Sequence, residues 1–228
     1  MAGPLWVEEI GSGRPLALLH GNGESHRVFD AMAPFLAPHH RLVGIDSTGH
    51  GGSPRGEGPL TIARIADDVD TALGALGLAG IDLLGFSDGG NVALEMALRH
   101  PGRLGRLIVV GANLFPAGMR AGTLRRTRVV HTALRGLGPL LPPARATAER
   151  FALMTDDPHI DPAALAQVEI PVLVVAGEKD LVRDEHTRLI ADSLPAARLV
   201  IVEDAGHMLP RSHPKLLATL VEEFLGGG

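Results

Sequence analysis

The 228-residue chain predicts an α/β fold: a mostly parallel central sheet with helices on both faces and a small helical lid. Three observations carry that expectation. Short Leu-rich or β-branched runs alternate along the chain with longer helical patterns, as in a parallel sheet joined by crossover helices. Several runs, such as Val172-Leu173-Val174-Val175-Ala176, are apolar without interruption, as strands covered on both faces are. One stretch, Leu114 to Gln167, offers no convincing strand, only helical segments broken by Gly136, Gly138, Pro139, Pro142 and Pro143. A helical insertion of this kind reads as a lid over the carboxyl ends of the strands, where open α/β sheets place their ligand crevice.

Taken in order, strands are expected at Leu5 to Ile10, Leu16 to Leu19, Arg41 to Ile45, Ile81 to Gly85, Leu107 to Val110, Val172 to Ala176 and Leu199 to Val202. Helices are expected at Ser25 to Ala37, Ile62 to Leu76, Asp88 to Arg99, Glu185 to Leu194 and His213 to Phe224. Pro101 and Gly102 stop the third helix, and Gly77 and Pro195 stop two others. The whole length reads as one domain, 1–228, with the lid at about 114–167. Gly226-Gly227-Gly228 reads as a frayed tail.

Composition removes several function classes. Apolar residues make up 45% of the chain and charged residues 21%, enough for a sizeable core. A net charge of -5 leaves no overall basic footprint for nucleic acid. The chain contains no cysteine, which excludes disulfides, thiolate metal sites and a cysteine nucleophile. The start, Met1 to Glu9, has neither the basic nor the apolar segment of a signal peptide. The longest apolar runs are strand-length, too short for a bilayer. A cytoplasmic enzyme acting on a small molecule, without a membrane or nucleic-acid partner, is the expectation.

The chemistry starts at Gly85-Phe86-Ser87-Asp88-Gly89, followed by Gly90. With 29 glycines in the chain, G-x-S-x-G alone is weak; its context is what counts. A strand precedes it and a helix follows, so Ser87 sits at a strand-to-helix turn whose glycines let the backbone double back. Such a turn lifts a serine oxygen above the sheet, at the N-terminus of a helix, where negative charge is favoured. The other reading is a glycine-rich turn with an incidental serine.

A serine hydroxyl needs a base. Of the 11 histidines, His207 directly follows the last strand, on the loop before the final helix. His186 and His213 fall in or at the start of helices, and His100, His131 and His159 at a helix end, in the lid and in a proline-rich loop. His39-His40 reads as an exposed loop pair without further ligands at metal spacing, so no metal site is expected. The base needs a carboxylate, and Asp180 emerges through the turn Gly177-Glu178-Lys179 after a strand end. Asp184, which reads as a helix cap, and Asp204, three residues before His207, are its rivals. The order Ser87, Asp180, His207 is that of an α/β-hydrolase triad. The oxyanion donors are the backbone amides of Asn22, in His20-Gly21-Asn22-Gly23, and Asp88; the alternative is a plain turn before a helix capped by Ser25.

With Asp46, Gly49-His50-Gly51-Gly52-Ser53 and Gly206, these pieces make the chain resemble the α/β-hydrolase superfamily over nearly its whole length. The elbow is similar to that of small bacterial esterase-like members and of the valacyclovir-hydrolase (biphenyl-hydrolase-like) branch. In that branch the residue after the nucleophile is an aspartate that recognises a substrate's α-amino group, which the resemblance implies for Asp88; otherwise Asp88 caps its helix. Family members usually open with a two-strand hairpin, whereas one strand is clear here, and Ser47-Thr48 stands where arginine or proline is common.

The lid is basic: between Leu114 and Thr155 stand Arg120, Arg125, Arg126, Arg128, Arg135, Arg145 and Arg150 against the single acid Glu149. Arg125 and Arg126 are candidate partners for an anionic substrate group; the alternative is a solvated face whose alkyl stems cover apolar lid residues. The expected reaction is two-step transfer of an ester's acyl group through Ser87 to water. Carbon–carbon bond hydrolysis, lactone opening and acyl transfer use the same triad, and a receptor without turnover is the non-enzymatic alternative. No phosphate-loop, dinucleotide or H-E-x-x-H motif is present, so no cofactor is expected.

Overall fold

A computed structural model describes residues 4–226. Seven strands form one sheet: β1 (Val7–Ile10), β2 (Arg14–Leu19), β3 (His40–Ile45), β4 (Ile81–Phe86), β5 (Leu104–Val110), β6 (Val172–Lys179) and β7 (Ala197–Gly206). Their spatial order is β1-β3-β2-β4-β5-β6-β7. Only the β1–β3 pair is antiparallel. β1 therefore does not form a hairpin with β2; β3 lies between them. The positive φ of Gly11 (86°) and Gly13 (106°) turns the chain away from the edge.

Helices α1 (Ala33–Leu36), α2 (Ile62–Ala75), α3 (Asp88–Arg99), α4 (Ala121–Leu137), α5 (Pro142–Thr155), α6 (Asp184–Ser193), α7 (Leu209–Ser212) and α8 (Pro214–Gly226) complete the fold. Alternate strand residues feed opposite layers, as the two-residue period of a strand requires. Leu107, Val109, Val172 and Val174 pack with α2, α3 and α6, whereas Ile108, Val110, Leu173 and Val175 face α8. Among the described residues no helix is long and apolar enough to cross a membrane.

Three expectations are corrected. The helix foreseen from Ser25 to Ala37 is a 3-10 turn at His26–Phe29 followed by the single turn α1. Pro34 has no amide hydrogen to donate and its ring blocks the preceding turn, so a continuous helix cannot pass it. His39-His40 is not an exposed pair: His39 is exposed, but His40 opens β3, buried, with Nε2 3.2 Å from Glu222 Oε1. Asp184 is the first residue of α6 and not its cap, and it pairs with Arg188 at 2.8 Å.

Between β5 and β6 lies the helical insertion. α4 and α5 pack mainly on each other. α5 also reaches the body through an ion pair between Arg55 Nε and Glu149 Oε2, 2.7 Å.

Candidate active site

Ser87, Asp180 and His207, the three residues predicted for catalysis, each sit just beyond a strand's carboxyl end. β4 stops at Phe86, and Ser87 takes φ 55°, ψ -121°, before α3 begins at Asp88. That is a strained backbone for a residue with a Cβ, and the sharp strand-to-helix elbow demands it. The flanking glycines are obligatory. A Cβ on Gly85 would lie 2.2 Å from Gly89 O, and one on Gly89 would lie 2.2 Å from Leu19 O.

β6 and β7 run further than their apolar runs suggest. Gly177 pairs with Val202 and Lys179 with Gly206 across an irregularity, so the residues foreseen as a turn continue the ladder. This two-stranded extension delivers Asp180 and His207 side by side. His207 Nε2 lies 3.0 Å from Ser87 Oγ, and His207 Nδ1 lies 2.8 Å from Asp180 Oδ1. Asp180 Oδ1 also accepts from the Val182 amide at 3.0 Å. Asp204, the rival acid, is exposed with φ 56° and pairs with Lys179 at 2.7 Å.

The loop after β2 lies against the elbow: a Cβ on Gly21 would sit 3.1 Å from Ser87 Cβ. His20 holds this loop. Its Nδ1 donates to Gly21 O at 2.7 Å and its Nε2 accepts from Ser47 N at 3.0 Å, which sets the tautomer. Burial depresses its basicity. Among the described residues neither the Asn22 nor the Asp88 amide gives its hydrogen to a protein acceptor, which leaves both for a ligand oxygen.

Asp88 does not cap α3 with its side chain. Its buried carboxylate instead accepts from Asn22 Nδ2 at 2.7 Å and, more loosely, from Asn91 Nδ2 at 3.4 Å. Burial pushes its carboxyl up to about 7, against the Asn22 hydrogen bond, with Asp157 adding to the rise. Asn91 Oδ1 in turn receives the Asn113 amide at 2.8 Å. Asp157 accepts from the Ile62 amide at 2.6 Å, and its carboxyl too is raised by burial. Glu24 pairs with Arg211 at 3.1 Å; burial raises its carboxyl, and Arg211 and His207 draw it back.

Arg125 and Arg126 are both exposed on α4 and make no ion pair or hydrogen bond among the described residues, to Ser87, Asp180 and His207 or to any other. Two other arginines of the insertion bond to predicted site residues. Arg120 Nε donates to the Asp180 carbonyl at 2.6 Å, and the Arg150 carbonyl accepts from Asn22 Nδ2 at 2.6 Å. Sequence reasoning also misses Gly111. Its φ is +63°, and a Cβ there would lie 3.0 Å from His207 Cε1 and 3.2 Å from Asp180 Oδ2. Its position directly after β5 is the only signal for it in the sequence.

Comparison with known proteins agrees with this architecture. The alpha/beta hydrolase fold family matches residues 14–128. A pimeloyl-[acyl-carrier protein] methyl ester esterase of Aeromonas hydrophila is 31% identical, over 96% of this chain and 98% of its own length. The crystal structure of a hydrolase from Pseudomonas aeruginosa is 29% identical, with a TM-score of 0.80 over 97% of this chain and 94% of that one. A meta-cleavage product hydrolase from Pseudomonas fluorescens shares the fold at 20% identity, with a TM-score of 0.79 over 98% and 94%. With its sheet order, its elbow and these relatives, the chain belongs to the α/β-hydrolase family and is an enzyme of that fold.

Proposed function

We propose that this enzyme is a serine esterase that hydrolyses a small-molecule carboxylic ester through an acyl-enzyme on Ser87. The observation that carries the reading is the unbroken chain Ser87 Oγ, His207, Asp180, at 3.0 and 2.8 Å. His207 Nε2 takes the serine proton as Oγ attacks the ester carbonyl, then returns it to the departing alcohol. Asp180 holds the Nδ1–H tautomer and stabilises the imidazolium. The amides of Asn22 and Asp88 receive the oxyanion, with the N-terminus of α3 adding its dipole. Water repeats the cycle on the acyl-enzyme. Turnover of p-nitrophenyl acetate and butyrate, abolished in Ser87→Ala, and stoichiometric fluorophosphonate labelling of Ser87 test the reading; turnover that survives Ser87→Ala refutes it.

A second reading places the ester on a carrier protein. The relatives named as pimeloyl-[acyl-carrier protein] methyl ester esterases align along almost the whole chain. The exposed arginines of α4, on a helix without a single acid, would suit an acidic carrier.

A further inference from the structure

Asn22 has a second part to play besides its backbone amide. Gly21 and Gly23 flank it, the latter at φ +72°, so the loop has little internal stiffness where the mechanism needs a fixed donor. The side chain supplies an anchor. Its Nδ2 lies 2.7 Å from Asp88 Oδ2 and 2.6 Å from the Arg150 carbonyl oxygen. A primary amide nitrogen carries two hydrogens, and both partners here are acceptors, so the amide's orientation follows from its neighbours. One nitrogen thereby joins three separate elements: the loop after β2, the residue following Ser87, and the lid helix α5.

We propose that Asn22 is a positioning residue whose side chain ties the seated lid helix α5 to the oxyanion loop and the nucleophile elbow, so that the oxyanion donors are in register only while the lid is down. The acceptor on the lid is a backbone carbonyl, so Asn22 senses where α5 lies and not which side chain stands at position 150. The Arg55–Glu149 pair, 2.7 Å, holds the same helix one residue earlier, from the loop after β3, and makes no bond to the elbow. It can seat the lid but cannot align the donors. The inference rests on the serine-esterase reading for its catalytic half alone.

The test uses the whole enzyme with Asn22→Ala, and with Asn22→Ser, which keeps a small polar side chain but lacks the reach and the second donor. Amide hydrogen exchange should rise at least about tenfold across 142–155 in both variants while β4 and β5 keep their protection. Fluorophosphonate labelling of Ser87 should slow by about tenfold or more. With p-nitrophenyl butyrate the loss should fall on kcat more than on KM, as for an interaction made in the transition state. Unchanged exchange across α5, or labelling within twofold of wild type, overturns the proposal. Wild-type enzyme that is not labelled at Ser87 refutes the esterase reading instead, and exchange across α5 then decides the tie by itself.

Discussion

Asp180 Oδ1 accepts from both His207 Nδ1, at 2.8 Å, and the backbone amide of Val182, at 3.0 Å. One oxygen thus orients the His207 imidazole and closes the loop after β6 on which Asp180 itself stands. Removing the side chain separates two effects. Asp180→Ala should lower kcat for p-nitrophenyl butyrate by about 10³–10⁴-fold. It should also lose about 1–3 kcal/mol of stability, because the buried Val182 amide is left without an acceptor. Asp180→Asn keeps an oxygen for Val182, so its melting temperature should stay near wild type while the charge, and with it most of the activity, is gone. Equal destabilisation of the two variants would show that the amide contact is unimportant.

Gly111 is a steric guard for the same pair. A methyl group there would meet His207 Cε1 at 3.0 Å and Nδ1 at 3.1 Å, at a φ of +63° that side chains rarely adopt. Gly111→Ala should cost about 1–2 kcal/mol in backbone strain. It should also reduce kcat roughly tenfold or more by shifting the imidazole from its line to Ser87. Gly122→Ala is the control: nothing lies within 4 Å of the added methyl, and the helix α4 should gain up to about 1 kcal/mol. A Gly111→Ala enzyme with wild-type kcat would remove Gly111 from the site.

How much of this was legible in the sequence depends on range. Ser87, Asp180 and His207 each follow an apolar strand run, so local patterning and chain order suffice to find them. The extension of β6 and β7 through Lys179 and Gly206 was not readable, because the apolar run stops where the ladder leaves the core. Pro34 was visible, but the regular spacing of apolar residues on either side of it hid its effect. The partners Asn22–Arg150, Asn91–Asn113 and Gly111–His207 are separated by 128, 22 and 96 positions, and only tertiary packing brings them together. The arginine excess of the lid was plain, but composition does not say which side of a helix faces the crevice.

Arg125 and Arg126 are the arginines of α4 on which this can be decided. Both side chains are exposed and stand outside the triad's contacts. The double change Arg125→Ala/Arg126→Ala should leave kcat/KM for small neutral and small acidic esters within twofold of wild type. On the second, carrier-protein reading, KM for a methyl ester borne on an acidic carrier should rise about tenfold, in keeping with exposed ion pairs of up to about 1 kcal/mol each. A selective rise in KM for the small acidic ester would instead bring these arginines back to the crevice.

Asp88 should leave a mark on stability as a function of pH. Its carboxyl, ordinarily near 3.8, is pushed up to about 7, chiefly by burial. The folded protein therefore holds a proton that the unfolded chain has released anywhere between these values. Folding is favoured most below about pH 4, where both states are protonated, and this group's contribution falls as pH rises to about 7, then levels off. The full penalty is at most about 4 kcal/mol, at 1.36 kcal/mol for each pH unit of the gap. Asp88→Asn removes the ionisable group while keeping an oxygen for Asn22 Nδ2. Its stability relative to wild type, from urea unfolding at a series of pH values, should climb from pH 4 to 7 and stay constant above. A relative stability that is flat across that range would mean that Asp88 keeps an ordinary carboxylate's charge within the elbow.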